Sequence, residues 1–318
     1  MSESLVVRPA AGGPDVEAIQ RLASKLWPAG WHPGGLGWAL ARDALADEVV
    51  VAVDEPGGAV AGWASRGGHD VGELHAQVDR GRHDIAAALV DWMVAASTSF
   101  TGPVRLPVWD GARELQSAVE GAGFAPGGRD EWSGLIRMAG GAAEDRRRTV
   151  SGYAIRAVGE SKRERAERVA VHRAAWRPAL IPYIDGRPVD PTAESSFTAE
   201  SYDAVRAVWL YEPHLDLVAI ADEGEFAACC IGWLDPATGV AEIEPMGVAP
   251  DHRRRGLAVA LSLEVAARVS ALGGVEVFIN GSPNSAYPAP SSTYLKAGFR
   301  IVERATTYIR GSGVSPQT

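Results

Sequence analysis

The feature that most narrows the fold is an internal repeat. The tripeptide AGF stands at 122–124 and again at 297–299, each time between a helix-like segment and a terminal strand. Aligning RHDIAAAL (82–89) with RRGLAVAL (254–261) offsets the two halves by about 172 residues, and the AGF tripeptides offset them by about 175, so the registers nearly agree. Upstream the order also repeats. LVVRPA (5–10) matches YAIRAV (153–158) as a short alternating strand before a helix-like segment. VVVAVD (49–54) and AVAGWAS (59–65) read as a hairpin around EPGG, as LDLVAIAD (215–222) and FAACCIGWLD (226–235) do around EGE. The pattern predicts an α/β chain of two tandem units, each a mixed sheet flanked by helices. The Gly-, Ala- and charge-rich stretch MAGGAAEDRRRTVSG (138–152) reads as the linker, giving domains 1–145 and 150–318.

The second half carries the more distinctive chemistry. VAEIEPMGV (240–248) reads as a strand in which Glu242 and Glu244 share one face. Pro245 cannot donate to a ladder, so pairing is expected to fail near it. PDHRRRG then turns into a helix with Leu257, Leu261, Val265 and Val269 on one stripe, ending at Gly273-Gly274. A helix N-terminus favours anions, yet Arg253, Arg254 and Arg255 crowd this one. Together with Gly256, which permits close backbone approach, they predict a cradle for a phosphate-bearing ligand on the N–H groups of 253–258.

Arg253-Arg254-Arg255-Gly256-Leu257-Ala258 resembles the [Q/R]-x-x-G-x-[G/A] signature of the GCN5-related N-acetyltransferase (GNAT) superfamily. It follows a strand and Val248-Ala249-Pro250, and TYLKAGFRIVE (293–303) resembles that family's Y-x-x-x-G-F element. The resemblance covers most of 150–318. It implies two splayed mixed sheets in tandem, broadly like mycothiol-synthase-like chains, with acetyl-CoA or another acyl-CoA as co-substrate and no metal. The pyrophosphate is then expected on 253–258, and the pantetheine arm along Met246-Gly247-Val248. Tyr294 becomes the acid that protonates the leaving thiolate, and Glu244 the base. The family's asparagine seven residues before the tyrosine is replaced by Tyr287, with Asn280 or Asn284 as the substitute; Asn284 is the cofactor-wall candidate.

The acceptor pocket is expected from 169–186 and 201–216, with Trp176 and Tyr183 as lining residues and Glu242 beside them. In the first half Asp84 aligns with Gly256 and Val119 with Tyr294, so that half is expected not to bind CoA. The expected activity is acyl transfer to a small-molecule amine. Transfer to a hydroxyl, malonyl decarboxylation or a non-catalytic CoA-binding role are the alternatives.

Net charge is −9 and the pI about 5.3. Such a balance disfavours nucleic acid and anionic membranes, and leaves the three arginines as a local anion site. No apolar run reaches the length of a membrane span, and the first residues lack a secretory signal pattern; the reading is a cytoplasmic monomer or homodimer. Cys229 and Cys230 sit in an apolar strand and read as buried thiols.

Overall fold

The computed structural model describes residues 5–42, 48–54, 58–67, 72–127, 136–142, 145–281 and 286–311. In chain order it runs β1 (Val6–Pro9), α1 (Gly13–Leu26), α2 (Pro33–Ala41), β2 (Glu48–Val53), β3 (Val60–Gly67), β4 (Gly72–Val78), α3 (His83–Ser97), β5 (Val104–Trp109), α4 (Arg113–Gly121) and β6 (Ala125–Pro126). It continues with β7 (Ile136–Gly141), β8 (Tyr153–Ala157), α5 (Lys162–Ala175), α6 (Ala199–Arg206), β9 (Asp216–Ala221), β10 (Phe226–Asp235) and β11 (Val240–Val248). α7 (Leu257–Ala271), β12 (Glu276–Gly281), α8 (Ala289–Lys296) and β13 (Arg300–Arg310) complete it.

The chain divides into two compact units, Met1–Leu135 with Glu303–Thr318, and Ile136–Val302. This differs from the expected boundary at 145–150. Ile136–Gly141, read partly as linker, is a strand that pairs antiparallel with β12 from Gly281↔Ile136 to Glu276↔Gly141. Its Gly- and Ala-rich composition hid a short alternation in which Ile136 and Met138 join the second unit's core. The terminal strand β13 pairs with β5 of the first unit, from Ala305↔Trp109 to Arg310↔Val104. Each unit thus takes its last sheet strand from the other half of the sequence.

The first unit's sheet runs β1-β2-β3-β4-β5-β13, antiparallel except for the β4–β5 pair. One face packs Leu74, Ile85, Leu89 and Met93 against α3; the other packs Ile19, Leu22, Leu26 and Trp63 against α1. The second unit's sheet runs β8-β9-β10-β11-β12-β7, antiparallel except for β11–β12. β10 is the continuous apolar run that a central strand covered on both faces requires, and Cys229 and Cys230 are buried free thiols within it. The predicted stripe of α7 is buried: Leu257, Leu261, Val265 and Val269 pack on β10, β11 and β12. Helix α5 covers the opposite face through Val171 and is capped by Ser161, whose Oγ accepts the Glu164 N–H at 3.2 Å. No helix among the described residues is long and apolar enough to cross a membrane.

Candidate functional site

The site is organised by a strand pair that parts. β11 and β12 are in register only from Val240↔Glu276 to Glu242↔Phe278. Beyond that point β12 continues with β7, while β11 continues with β10 as far as Val248↔Ala228. The β11 edge from Ile243 to Val248 therefore turns away from β12, two residues earlier than the proline alone predicted.

A bulge sits at the same place. Cys230 faces Met246 but Gly232 faces Ile243, so three steps on β11 oppose two on β10. Ala241 and Ile243 before the bulge, and Met246 and Val248 after it, all pack on the α7-side core, so the alternation restarts across Glu244 and Pro245. Glu242 lies on the α5 side, is buried at 2% exposure, and accepts a hydrogen bond from Asn280 Nδ2 at 2.7 Å. Glu244 is half-buried, and its charge acts on the Tyr294 phenol, which belongs to the α7-side core. Alternation read from sequence has no means of counting an extra residue at a bulge.

Tyr294 is 7% exposed on α8. Burial, and then the neighbouring Glu244 charge, push its phenol well above the ordinary range, so it stays protonated and able to donate. Glu244 thus lies within electrostatic reach of Tyr294, and Glu242 is bonded to Asn280.

The arginine loop divides its labour. The Arg253 guanidinium is spent on the protein's own carbonyls: Val248 O at 3.3 Å, Ala175 O at 3.2 Å, and Leu180 O. Its backbone N–H is bonded to Pro250 O at 3.3 Å. These bonds tie the end of β11 to the end of α5. Arg254, Arg255 and Gly256 are exposed. Gly256 is the N-cap of α7 at φ 88°, and Arg254 also has a left-handed backbone at φ 64°. A Cβ at Gly256 would meet nothing within 4 Å, so glycine is required there by conformation rather than by space. The first bond of α7 runs from Ala260 N–H to Gly256 O at 3.0 Å, and no side chain caps the helix. The N–H groups of Leu257, Ala258 and Val259 precede that bond and face the helix start, which suits a diphosphate.

Along the parted edge, Met246 and Val248 are half-buried and Gly247 is buried. A Cβ on Gly247 would collide with the Trp176 ring and lie 2.8 Å from the Ala175 Cβ. Trp176 therefore packs directly against the strand, stacked on His172 with centroids 4.5 Å apart. Tyr183 meets Tyr287 edge-on at 5.8 Å, and Ile184 N–H donates to Ala286 O at 2.9 Å, so the loop after α5 leans on the loop before α8. Tyr287 occupies the place of the family's asparagine; Asn280 is tied to Glu242, and Asn284 lies outside the described residues.

Other aromatic candidates are core groups. Tyr202 and Tyr211 both donate to Asp216 Oδ2, at 2.6 and 2.9 Å, and Asp216 Oδ1 accepts from buried Arg168 at 2.9 Å. Sequence reasoning also missed Trp233, whose indole N–H donates to the Glu244 carbonyl at 2.6 Å; a tryptophan inside an apolar strand carries no signal beyond packing.

The first unit has the same parting of strands, since β4 and β5 pair only at Gly72↔Val104 and Glu73↔Arg105. Its helix start is filled by its own side chains. Arg82 binds Asp54 and Asp84, and that contact holds the Asp84 carboxyl at about 2. Gly81, at φ 75°, donates its N–H to Glu114 Oε1 at 2.8 Å. Val119 is fully buried core. Among the described residues no cluster of three His, Cys, Asp or Glu side chains is arranged to hold a metal.

Comparison with known proteins agrees with this geometry. Residues 185–286 match the Acetyltransferase (GNAT) family. A GCN5-related N-acetyltransferase from Sphaerobacter thermophilus is similar at 22% identity and a TM-score of 0.57, covering 97% of this chain and 96% of that one. A tandem GNAT protein from the clavulanic acid biosynthesis pathway is similar at 13% identity and a TM-score of 0.58, covering 98% of this chain and all of the other. At these identities the likeness speaks for the fold. No curated protein matches the sequence.

Proposed function

We propose that the chain is a GNAT-type acyltransferase in its tandem form, and that its second unit transfers the acetyl group of acetyl-CoA to the amine of a small molecule. The observation that carries this reading is the convergence of three features on one strand end: the uncapped helix start at Gly256, the parted edge of β11, and the Glu244–Tyr294 pair.

Leu257, Ala258 and Val259 N–H groups bind the diphosphate, with Arg254 and Arg255 as exposed countercharges. Met246, Gly247 and Val248 offer backbone groups to the pantetheine arm, and a backbone N–H near Val248 polarises the thioester carbonyl. Glu244 takes a proton from the amine as its nitrogen attacks the carbonyl carbon. The carbon–sulfur bond breaks as the amide forms, and the Tyr294 phenol gives its proton to the leaving sulfur. Trp176, Tyr183 and Tyr287 wall the acceptor side, and Glu242 lies deeper behind them. The first unit does not bind CoA, because Glu114 and Asp84 already supply the negative charge its helix start would otherwise attract.

The test is thiol release from acetyl-CoA over a panel of primary amines, with product masses. An amine-dependent gain of one acetyl group supports the reading. Loss of carbon dioxide from malonyl-CoA without an acceptor, or acylation of hydroxyls alone, replaces it.

A further inference from the structure

The two units carry the same Gly-Trp pair on the same strand, at Gly62-Trp63 in β3 and Gly232-Trp233 in β10. In both, the glycine lets a helix approach. A Cβ on Gly62 would lie 2.6 Å from Ile85 of α3, and one on Gly232 would lie 2.8 Å from Val265 of α7. In both, the tryptophan is fully buried on the opposite face. The two indoles nevertheless do different things. Trp63 donates to the side chain of Gln77 at 3.1 Å, beside a β3–β4 register that runs unbroken from Gly62↔Val78 to Gly67↔Glu73. Trp233 donates to a backbone carbonyl, that of Glu244 at 2.6 Å, where the β10–β11 register breaks.

That carbonyl belongs to the bulge residue itself. A bulge takes a backbone group out of the ladder, and a buried carbonyl left without a donor is destabilising. Without the bulge, period-2 alternation would put Met246 and Val248 on the face of Glu242; with it they pack on the core that holds Tyr294. We propose that Trp233 is a positioning residue for acyl transfer: its indole N–H holds the bulge at Glu244, and so sets where the Glu244 carboxylate and the β11 edge beyond it lie. Tyr211, edge-on to Trp233 at 6.2 Å and bonded to Asp216, fixes the indole from behind. The unit that keeps the bulge has its indole on the strand; the unit whose helix start is filled by its own carboxylates does not. This inference rests on the assignment of Glu244 and Tyr294 above.

The experiment replaces Trp233 by β-(3-benzothienyl)alanine, which keeps the ring shape and puts sulfur in place of the N–H, with the same replacement at Trp63 as a control and Trp233→Phe alongside. Acetyl-CoA affinity, kcat and KM for the fastest amine of the panel, and a crystal structure are measured. The expected result is acetyl-CoA affinity within about twofold of wild type and kcat lowered about tenfold, the loss matching one hydrogen bond. KM for the amine changes less, and in the crystal the Glu244 carboxylate is displaced. The Trp63 replacement leaves kcat unchanged. Wild-type kcat in the benzothienyl enzyme, or Glu244 unmoved in its crystal, overturns the proposal. If wild type acetylates no amine, the proposed activity fails, while the crystal comparison still decides whether the indole holds the bulge.

Discussion

Replacing Gly256 separates backbone strain from charge. At φ 88° an L residue is strained but meets no neighbour within 4 Å, so the structural cost is confined to the backbone. That cost is about 1–2 kcal/mol, less for Asn and Asp, which tolerate the left-handed region best. A loss of that size lowers Tm by about 2–8 °C in a domain this large. Gly256→Asn and Gly256→Asp should therefore melt within a degree or two of each other. They differ in one negative charge beside the N–H groups of 257–259. A diphosphate there would lie roughly 5 Å from that carboxylate, for a repulsion of about 1–3 kcal/mol between water-like and near-surface dielectrics. Calorimetric titration should show acetyl-CoA binding the Asp variant about 5- to 150-fold more weakly than the Asn variant, with the gap narrowing in high salt. Equal affinity of the two variants, at any ionic strength, would refute the placement of the diphosphate at this helix start.

Further outcomes follow from the same contacts. Arg253→Ala should lower Tm, since it removes a cation from three carbonyls at about 1.5–3 kcal/mol per bond, whereas Arg254→Ala should leave Tm in place and weaken acetyl-CoA; the reverse pattern in scanning calorimetry and titration would exchange their roles. Gly247→Ala forces a methyl into the Trp176 ring and should cost about 1–3 kcal/mol by denaturant melting, and an unchanged midpoint would mean that the ring does not lie against the strand. His75 is buried on β4 and burial lowers its pKa to about 4, so the folded state keeps it neutral. Its contribution is present above about pH 6.5 and is lost toward pH 4, at about 1.4 kcal/mol per pH unit. Stability relative to His75→Phe should fall over that window, and parallel pH curves would contradict the burial.

Legibility from the sequence followed range. The arginine–glycine turn, the α7 stripe, both hairpins and the parting of β11 from β12 depend on neighbours within one or two elements, and periodicity or a single proline reveals them. Domain boundaries depended on which distant strand completes each sheet, and neither β7 nor β13 carries that information locally. Glu244 was chosen on an alternation shared with Glu242, and that alternation misses the extra residue between Ile243 and Met246. The arginines looked alike in sequence; only the carbonyls of Ala175 and Leu180, over 70 residues upstream, distinguish Arg253 from its neighbours.

The central claim is one working acyl-CoA site per chain, on the second unit. Calorimetric titration of the full chain with acetyl-CoA measures it most directly. One site per chain, weakened in Gly256→Asp and kept in Asp84→Gly, is the predicted result. No binding, two sites per chain, or one site with unchanged affinity in Gly256→Asp would contradict it.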